Sequence, residues 1–215
     1  MKKLTLIGGL KNSILYFLNE DDNGGKTIIN VDIQPEYEDY ISFNLGEWVE
    51  FINKAAKNNR IVFLYNGALT LGMIDESSYK EWLFELGVKN RVLNNIVFFD
   101  KGYAFFRYCM DNNINEDEIV DLLKFMVKHD VNDSRDINEE MWNSFMKEFK
   151  YEQSNIRDLI EMADDMIYIP DLMDFLSNYN HIILTGGGSN ECLKEVEIAL
   201  KTLGKKYDSL TRFIY

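Results

Sequence analysis

Three reactive side chains of different kinds stand at comparable places in the sequence: Asp32 in "IINVDIQPEY", Lys101 in "NIVFFDKGYAFF" and Cys192 in "ILTGGGSNECLKEV". Each follows a short apolar run that reads as a β-strand. A carboxylate, an ammonium and a thiol drawn to one point can do nucleophilic chemistry. The acid takes the thiol proton, the cation steadies the charges, and sulfur attacks a carbonyl carbon. Taken singly, an Asp or Lys just past a strand is a common solvated loop residue, and a lone cysteine is commonly a small buried hydrophobe. The three together are more specific than any one of them.

The cysteine segment carries the strongest local signal. An apolar strand, "HIILT", runs into Gly186, Gly187 and Gly188, after which Ser189 or Asn190 is placed to cap a helix. Leu193, Val196, Leu200 and Leu203 form its packing stripe, and Gly204 stands where the helix should end. Backbone N–H groups at such a start have no partner within the helix, so they stabilise an anion: a phosphate, an oxyanion or a thiolate. A cysteine in the first turn is therefore expected to have a lowered pKa. Glu191 and Glu195 work against that, so a nearby cation is needed, and Lys101 is the one at a matching strand end. The plain alternative for "GGGSN" is a tight strand-to-helix turn, because it matches neither glycine-rich phosphate pattern.

The elements that must hold these groups alternate along the chain. "TIINVDI" at 27–33 reads as a strand buried on both faces, "RIVFLYNG" at 60–67 as a second buried strand, and the third strand within 95–106 and "HIILT" complete the set. Helices are expected at about 45–58 and at 77–88, the latter stopped by Gly87, and after the glycine turn. Two further short strands are expected within 3–18, a polar turn at 20–26, and an edge strand in "YDSLTRFIY". The stretch 108–165 is acidic and helical. Strand–helix alternation of this kind predicts an α/β fold with a mainly parallel, Rossmann-like sheet, helices on both faces and a helical insertion at about 108–165, all within a single domain spanning 1–215. Sites in such sheets collect outside the carboxyl ends of the strands, where Asp32, Lys101 and Cys192 all fall.

Composition narrows the function classes. Of 215 residues, 46% are hydrophobic and 27% charged, which suits a folded core. The net charge of −13 repels phosphate backbones, so no nucleic-acid partner is expected. Cys109 and Cys192 are the two cysteines and form no Cys-x-x-Cys pair, which argues against a disulfide scaffold or structural zinc. Cys109 reads as a packed side chain. The opening "MKKLTLIGGLKNS" lacks a signal-peptide pattern and no run is long enough to span a bilayer, so a cytoplasmic chain without membrane attachment is expected.

These segments resemble the isochorismatase-like cysteine hydrolases, a superfamily that includes the nicotinamidases. "IINVDIQPEY" looks like their first strand, "DKGYAFF" like the segment with their lysine, and "ILTGGGSNECLKEVEIALKTLGKKY" like their glycine turn, cysteine and following helix. The resemblance implies a cysteine-dependent hydrolase acting on a small amide-like metabolite. Cys192 would be its nucleophile, Asp32 its proton carrier and Lys101 its cation. Backbone N–H groups around Asn190, Glu191 and Cys192 would form the oxyanion hole, with Gly188 and Ser189 beside the substrate. The family's habit of forming dimers and tetramers makes a homo-oligomer an expectation. The Asp-His-His metal cluster of nicotinamidases has no counterpart, His129 and His181 reading as structural, so neither cofactor nor metal is expected.

Other readings of the same residues remain open. Arg107 could clamp a substrate carboxylate or phosphate, or pair with a surface acid. Asp32, Glu36, "NDSRD" at 132–136 and "ADD" at 163–165 offer carboxylates for a divalent metal in a phosphoesterase, although acidic loops are usually solvated. A non-catalytic α/β module is the main alternative. It would bind an anionic ligand at the glycine turn, or a protein at the acidic insertion.

Overall fold

The computed structural model describes residues 25–66, 75–101, 109, 111–162 and 170–215. The expected strands within 3–18, most of the turn at 20–26, Arg107 and the acids at 163–165 lie outside these residues. The described residues form a five-stranded, wholly parallel sheet in the order β3-β2-β1-β4-β5. Its strands are β1 (Thr27–Val31), β2 (Arg60–Tyr65), β3 (Val97–Asp100), β4 (Ile182–Gly186) and β5 (Tyr207–Ser209). β1 and β4 are buried at every position, as near-continuous apolar runs require. "YDS" is the edge strand.

Alternation along the strands divides the core in two. Ile28, Phe63 and Ile183 face one side, where they pack with α1 (Leu45–Ala55), α2 (Glu76–Glu85), the short α3 (Asn90–Leu93) and Phe213. Ile29, Val62, Leu64 and Leu184 face the other, under α4 (Glu116–Lys128), α7 (Pro170–Ser177) and α8 (Cys192–Thr202). α5 (Glu139–Phe149) and α6 (Asn155–Met162) join this second cluster through Trp142, Phe145 and Ile156. Helices therefore cover both faces of a Rossmann-like sheet. The described residues of the acidic 108–165 stretch are part of that cover. Ile119, Leu122, Leu123, Phe125 and Met126 of α4 are buried in the core beside α8, and Glu116 pairs with both Lys194 and Lys201.

Local chemistry sets the element ends. Asn44 caps α1 by accepting from the Glu47 N–H at 3.0 Å, and Asp75 and Ser78 form a capping box on α2. Gly87 (φ 103°) ends α2 and Gly204 (φ 64°) ends α8, both in the left-handed conformation a helix C-terminus calls for. A buried polar knot holds the centre of the sheet: Asn30 Oδ1 accepts from Thr185 Oγ1 at 2.7 Å and from Trp48 Nε1 at 3.2 Å. Its amide donates to the Val62 carbonyl at 3.1 Å, tying β1 to β2.

Strand order decides where a site can lie. β1 is followed to one side by β2 and β3 and flanked on the other by β4, so the connections leave β1 and β4 in opposite directions. The resulting crevice opens at their carboxyl ends. Asp32 and the glycine turn lie at that crevice.

Candidate active site

Asp32 closes β1 in a conformation few side chains adopt, with φ 47°. The left-handed region costs an L-residue about 1–2 kcal/mol, least for Asn and Asp. This turn explains why the strand stops at Val31 although the apolar run continues to Ile33. The Asp32 N–H donates to the Leu64 carbonyl at 2.9 Å, and its own carbonyl accepts from the Tyr215 hydroxyl at 2.9 Å. The carboxylate is fully buried, and among the described residues neither oxygen accepts a hydrogen bond of good geometry.

Gln34, also fully buried, locks the turn that follows. Its Oε1 accepts from the Asn66 N–H at 3.0 Å, and its Nε2 faces the Asn66 carbonyl at 3.4 Å and Glu36 Oε2 at 3.2 Å. The exits of β1 and β2 are thus pinned together. Between them the Tyr79 hydroxyl donates to the Ile33 carbonyl. Pro35 then starts a 3-10 helix (Pro35–Tyr40) carrying Tyr37 and Tyr40, which contact each other edge to face.

Lys101 leaves β3 on the far side of β2. Its N–H donates to the Tyr65 carbonyl at 2.8 Å, continuing the ladder by one step. The side chain, 2% exposed, crosses the end of β2 toward Asp32, bringing Nζ to 3.2 Å from Oδ2. Nζ also donates to Glu195 Oε2 at 2.6 Å. Burial alone would lower this pKa, but Asp32, Glu195 and Cys192 outweigh it and raise it, so Lys101 is an ammonium.

Cys192 arrives from β4 through the glycine turn. Gly186 (φ 75°) and Gly187 (φ 70°) are both left-handed, and a Cβ at Gly186 would collide with the Val31 carbonyl and the Ile33 side chain. The chain reverses so tightly that the residue preceding α8 is Glu191, with no side-chain cap, in place of the expected Ser189 or Asn190. The Ser189 N–H instead pairs with the Tyr215 carbonyl at 2.9 Å, and Tyr215 N–H returns to Gly187 at 3.1 Å. Cys192 is the first residue of α8.

The expected lowering of the Cys192 pKa is overturned. Burial comes first and the Asp32 carboxylate second, and together they push the thiol up to about 12, with Glu195 adding to it. Lys101 opposes this and does not prevail. Cys192 at rest is a thiol beside a carboxylate. Cys109, fully buried, is likewise pushed up to about 12 by desolvation and then by Glu118.

Asp32, Lys101 and Cys192 thus converge from the ends of β1, β3 and β4. Glu195 joins them from the next turn of α8, three residues past Cys192 on the same helix face. The sequence shows Glu195 only as a charge opposing a thiolate. The i, i+3 spacing from Cys192 is the signal that places it in the same cluster. Gln34 and Tyr79 carry no motif that points to their bracing role.

Above the cluster lies a cleft of about 610 Å³. It is lined by Tyr37, Tyr40 and Tyr215 and by the turn from Gly188 through Ser189, Asn190 and Glu191 to Cys192. Burial first, then Asp32 and Cys192, push the Tyr37 hydroxyl up to about 12, which marks how close that ring stands to the acid and the sulfur. Within the turn, the Glu191 N–H donates to the Gly188 carbonyl at 2.9 Å. Glu191 therefore drops out of the expected oxyanion donors, leaving the Asn190 and Cys192 N–H groups. A larger hollow of about 930 Å³ lies at the amino ends of the strands, beside Lys26, His181 and Lys205, and contains none of these reactive groups.

Two further candidates among the described residues are engaged elsewhere. Asp133 caps a 3-10 turn (Ser134–Asp136) and pairs with Arg135. His129 packs its ring on Phe125 at 4.3 Å. Among the described residues no three His, Cys, Asp or Glu side chains are grouped to hold a metal ion, and no helix is long and apolar enough to cross a membrane. Comparison of the chain with protein-family models, with curated proteins and with solved structures returns no match.

Proposed function

We propose that the chain is a cysteine-dependent hydrolase of the isochorismatase-like type, cleaving a small amide-like metabolite through Asp32, Lys101 and Cys192. One observation carries this reading. Three unlike reactive groups, each from a different strand end, meet in a buried cluster whose cysteine opens onto a cleft at the carboxyl edge of a parallel sheet.

The raised thiol pKa suits a nucleophile that gives up its proton during the attack. Asp32 takes the Cys192 proton as sulfur bonds to the carbonyl carbon. The oxyanion forms against the Asn190 and Cys192 N–H groups at the start of α8. Asp32 returns the proton to the leaving amine as the C–N bond breaks, giving a thioester. Water then attacks, Asp32 accepts its proton, and the thiol and a carboxylic acid are released. The Lys101 ammonium, 3.2 Å from Asp32 Oδ2, balances the negative charge as it passes between Asp32 and the sulfur. The partner is a small molecule that fits between the tyrosines and the turn.

Trapping the thioester tests the proposal. After rapid acid quench with simple arylamides or p-nitrophenyl acetate, intact-mass and peptide spectra are expected to place the acyl group on Cys192. Cys192→Ala should abolish turnover, and Asp32→Asn should lower it by about 100-fold or more, the usual contribution of a general base. Turnover that survives in Cys192→Ala would overturn the proposal.

A further inference from the structure

Glu195 belongs to the buried cluster, yet the three-residue mechanism gives it no task. It is 2% exposed, and its Oε2 holds the Lys101 ammonium at 2.6 Å, closer than the 3.2 Å between that ammonium and Asp32 Oδ2. One positive charge is therefore shared between two carboxylates, and the shorter contact is with the residue that does no proton transfer. The charge left to stabilise a sulfur anion is correspondingly smaller.

We propose that Glu195 is a positioning residue that clamps the Lys101 ammonium against α8, draws off part of its charge, and so keeps Cys192 a thiol until Asp32 takes the proton. The role rests on Asp32, Lys101 and Cys192 acting as proposed above. Among the described residues, the groups around the sulfur are Asp32 at the end of β1, Tyr37 of the 3-10 helix, Lys101 at the end of β3, Glu191 and Glu195 beside and within α8, and Tyr215 of the last segment. Lys101 is the single cation among them, so whatever competes for it governs the sulfur. The direction agrees: Glu195 contributes to raising the thiol and Lys101 to lowering it.

The test is the pH dependence of iodoacetamide labelling, read peptide by peptide, with buried Cys109 as the internal standard. Glu195→Gln removes the charge at nearly constant volume. A one-unit fall in thiol pKa gives about tenfold more thiolate and about threefold lower intrinsic nucleophilicity, so the Cys192 to Cys109 ratio at pH 8 should rise about threefold. Glu195→Asp keeps the charge and should hold the ratio near its wild-type value. An unchanged or lower ratio in a folded Glu195→Gln protein overturns the proposal. If that variant unfolds, so that both cysteines label alike, the ratio is measured again with trimethylamine N-oxide restoring the fold, and the same criterion decides. Labelling needs no substrate, so the two proposals fail separately. A raised ratio without a thioester sinks the hydrolase, whereas a thioester with an unchanged ratio sinks the role of Glu195.

Discussion

Lys101 and Glu195, 94 positions apart in the chain, meet at 2.6 Å inside the protein, where neither is more than 2% exposed. With Asp32 at 3.2 Å on its other side, the ammonium stands between two buried carboxylates. Taking one partner out of such an arrangement strands the other charges without water. Lys101→Met is expected to destabilise the protein by about 3–5 kcal/mol. The double change Lys101→Met with Glu195→Gln should cost less than the sum of the single changes, because their interaction is counted in both. Urea melts of the four proteins at pH 7 check this, and additive losses would contradict a direct pair.

The second prediction concerns alkaline pH. The Cys192 thiol ionises near its ordinary value in the unfolded chain and at about 12 in the folded one. Between these values the unfolded state has lost a proton that the folded state retains, so stability falls as pH rises. Below the unfolded value the effect is absent. The buried Cys109 and Tyr79 titrate in the same sense, so the wild-type slope alone does not isolate Cys192. Comparison with Cys192→Ala does. The two stability curves should run parallel up to about pH 8 and converge or cross above it as the wild type loses its advantage. A constant gap to pH 11 would mean that the sulfur titrates normally.

Strand ends were the legible part of this molecule. β1, β2 and β4 are apolar runs buried on both faces, so the residue after each falls at the carboxyl edge of the sheet whatever the details of packing. Asp32 and the cysteine turn could be assigned to one edge on that ground, and Lys101 joined them as the residue after the short, half-buried β3. Glu195 could not be joined to Lys101 in the same way, because that contact depends on how α8 rotates about its axis over the sheet. The sign of the Cys192 shift was hidden for a related reason. A helix start lowers a thiol pKa by a local effect, whereas burial and the nearby Asp32 carboxylate raise it by tertiary ones. The cap was misplaced because two consecutive left-handed glycines tighten the turn, a geometry that the spacing of "GGGSNEC" does not reveal.

Gln34 offers a third test. Its amide bridges the exits of β1 and β2, accepting from the Asn66 N–H and facing the Asn66 carbonyl with its donor. Gln34→Glu keeps the acceptor, loses the donor, and places a carboxylate among Asp32 and Glu36. The expected loss is about 1–3 kcal/mol at pH 7. The introduced carboxyl should have a raised pKa in the folded state, from burial and like charge. The loss is then smallest at low pH, where both states are protonated, and grows as pH rises through the ordinary Glu range. Thermal melts from pH 4 to 8 measure this trend, and a loss independent of pH would place the introduced group in contact with water.

The glycine turn can be tested against a control in the same protein. Gly186 and Gly204 have similar left-handed backbones, φ 75° and φ 64°, but different surroundings. A Cβ at Gly204 meets nothing within 4 Å, whereas one at Gly186 runs into the Val31 carbonyl and Ile33. Gly204→Ala should therefore cost only the backbone term, about 1–2 kcal/mol. Gly186→Ala should add overlap with β1, typically about 1–3 kcal/mol more. The strained turn also hands the chain from β4 to Cys192, so relieving the overlap must shift either the first turn of α8 or the end of β1 that carries Asp32. Gly186→Ala should consequently change the Cys192 labelling rate in the folded protein, and Gly204→Ala should leave it alone. Equal destabilisation by the two substitutions would mean that the β1–β4 crevice is looser than its backbone contacts indicate.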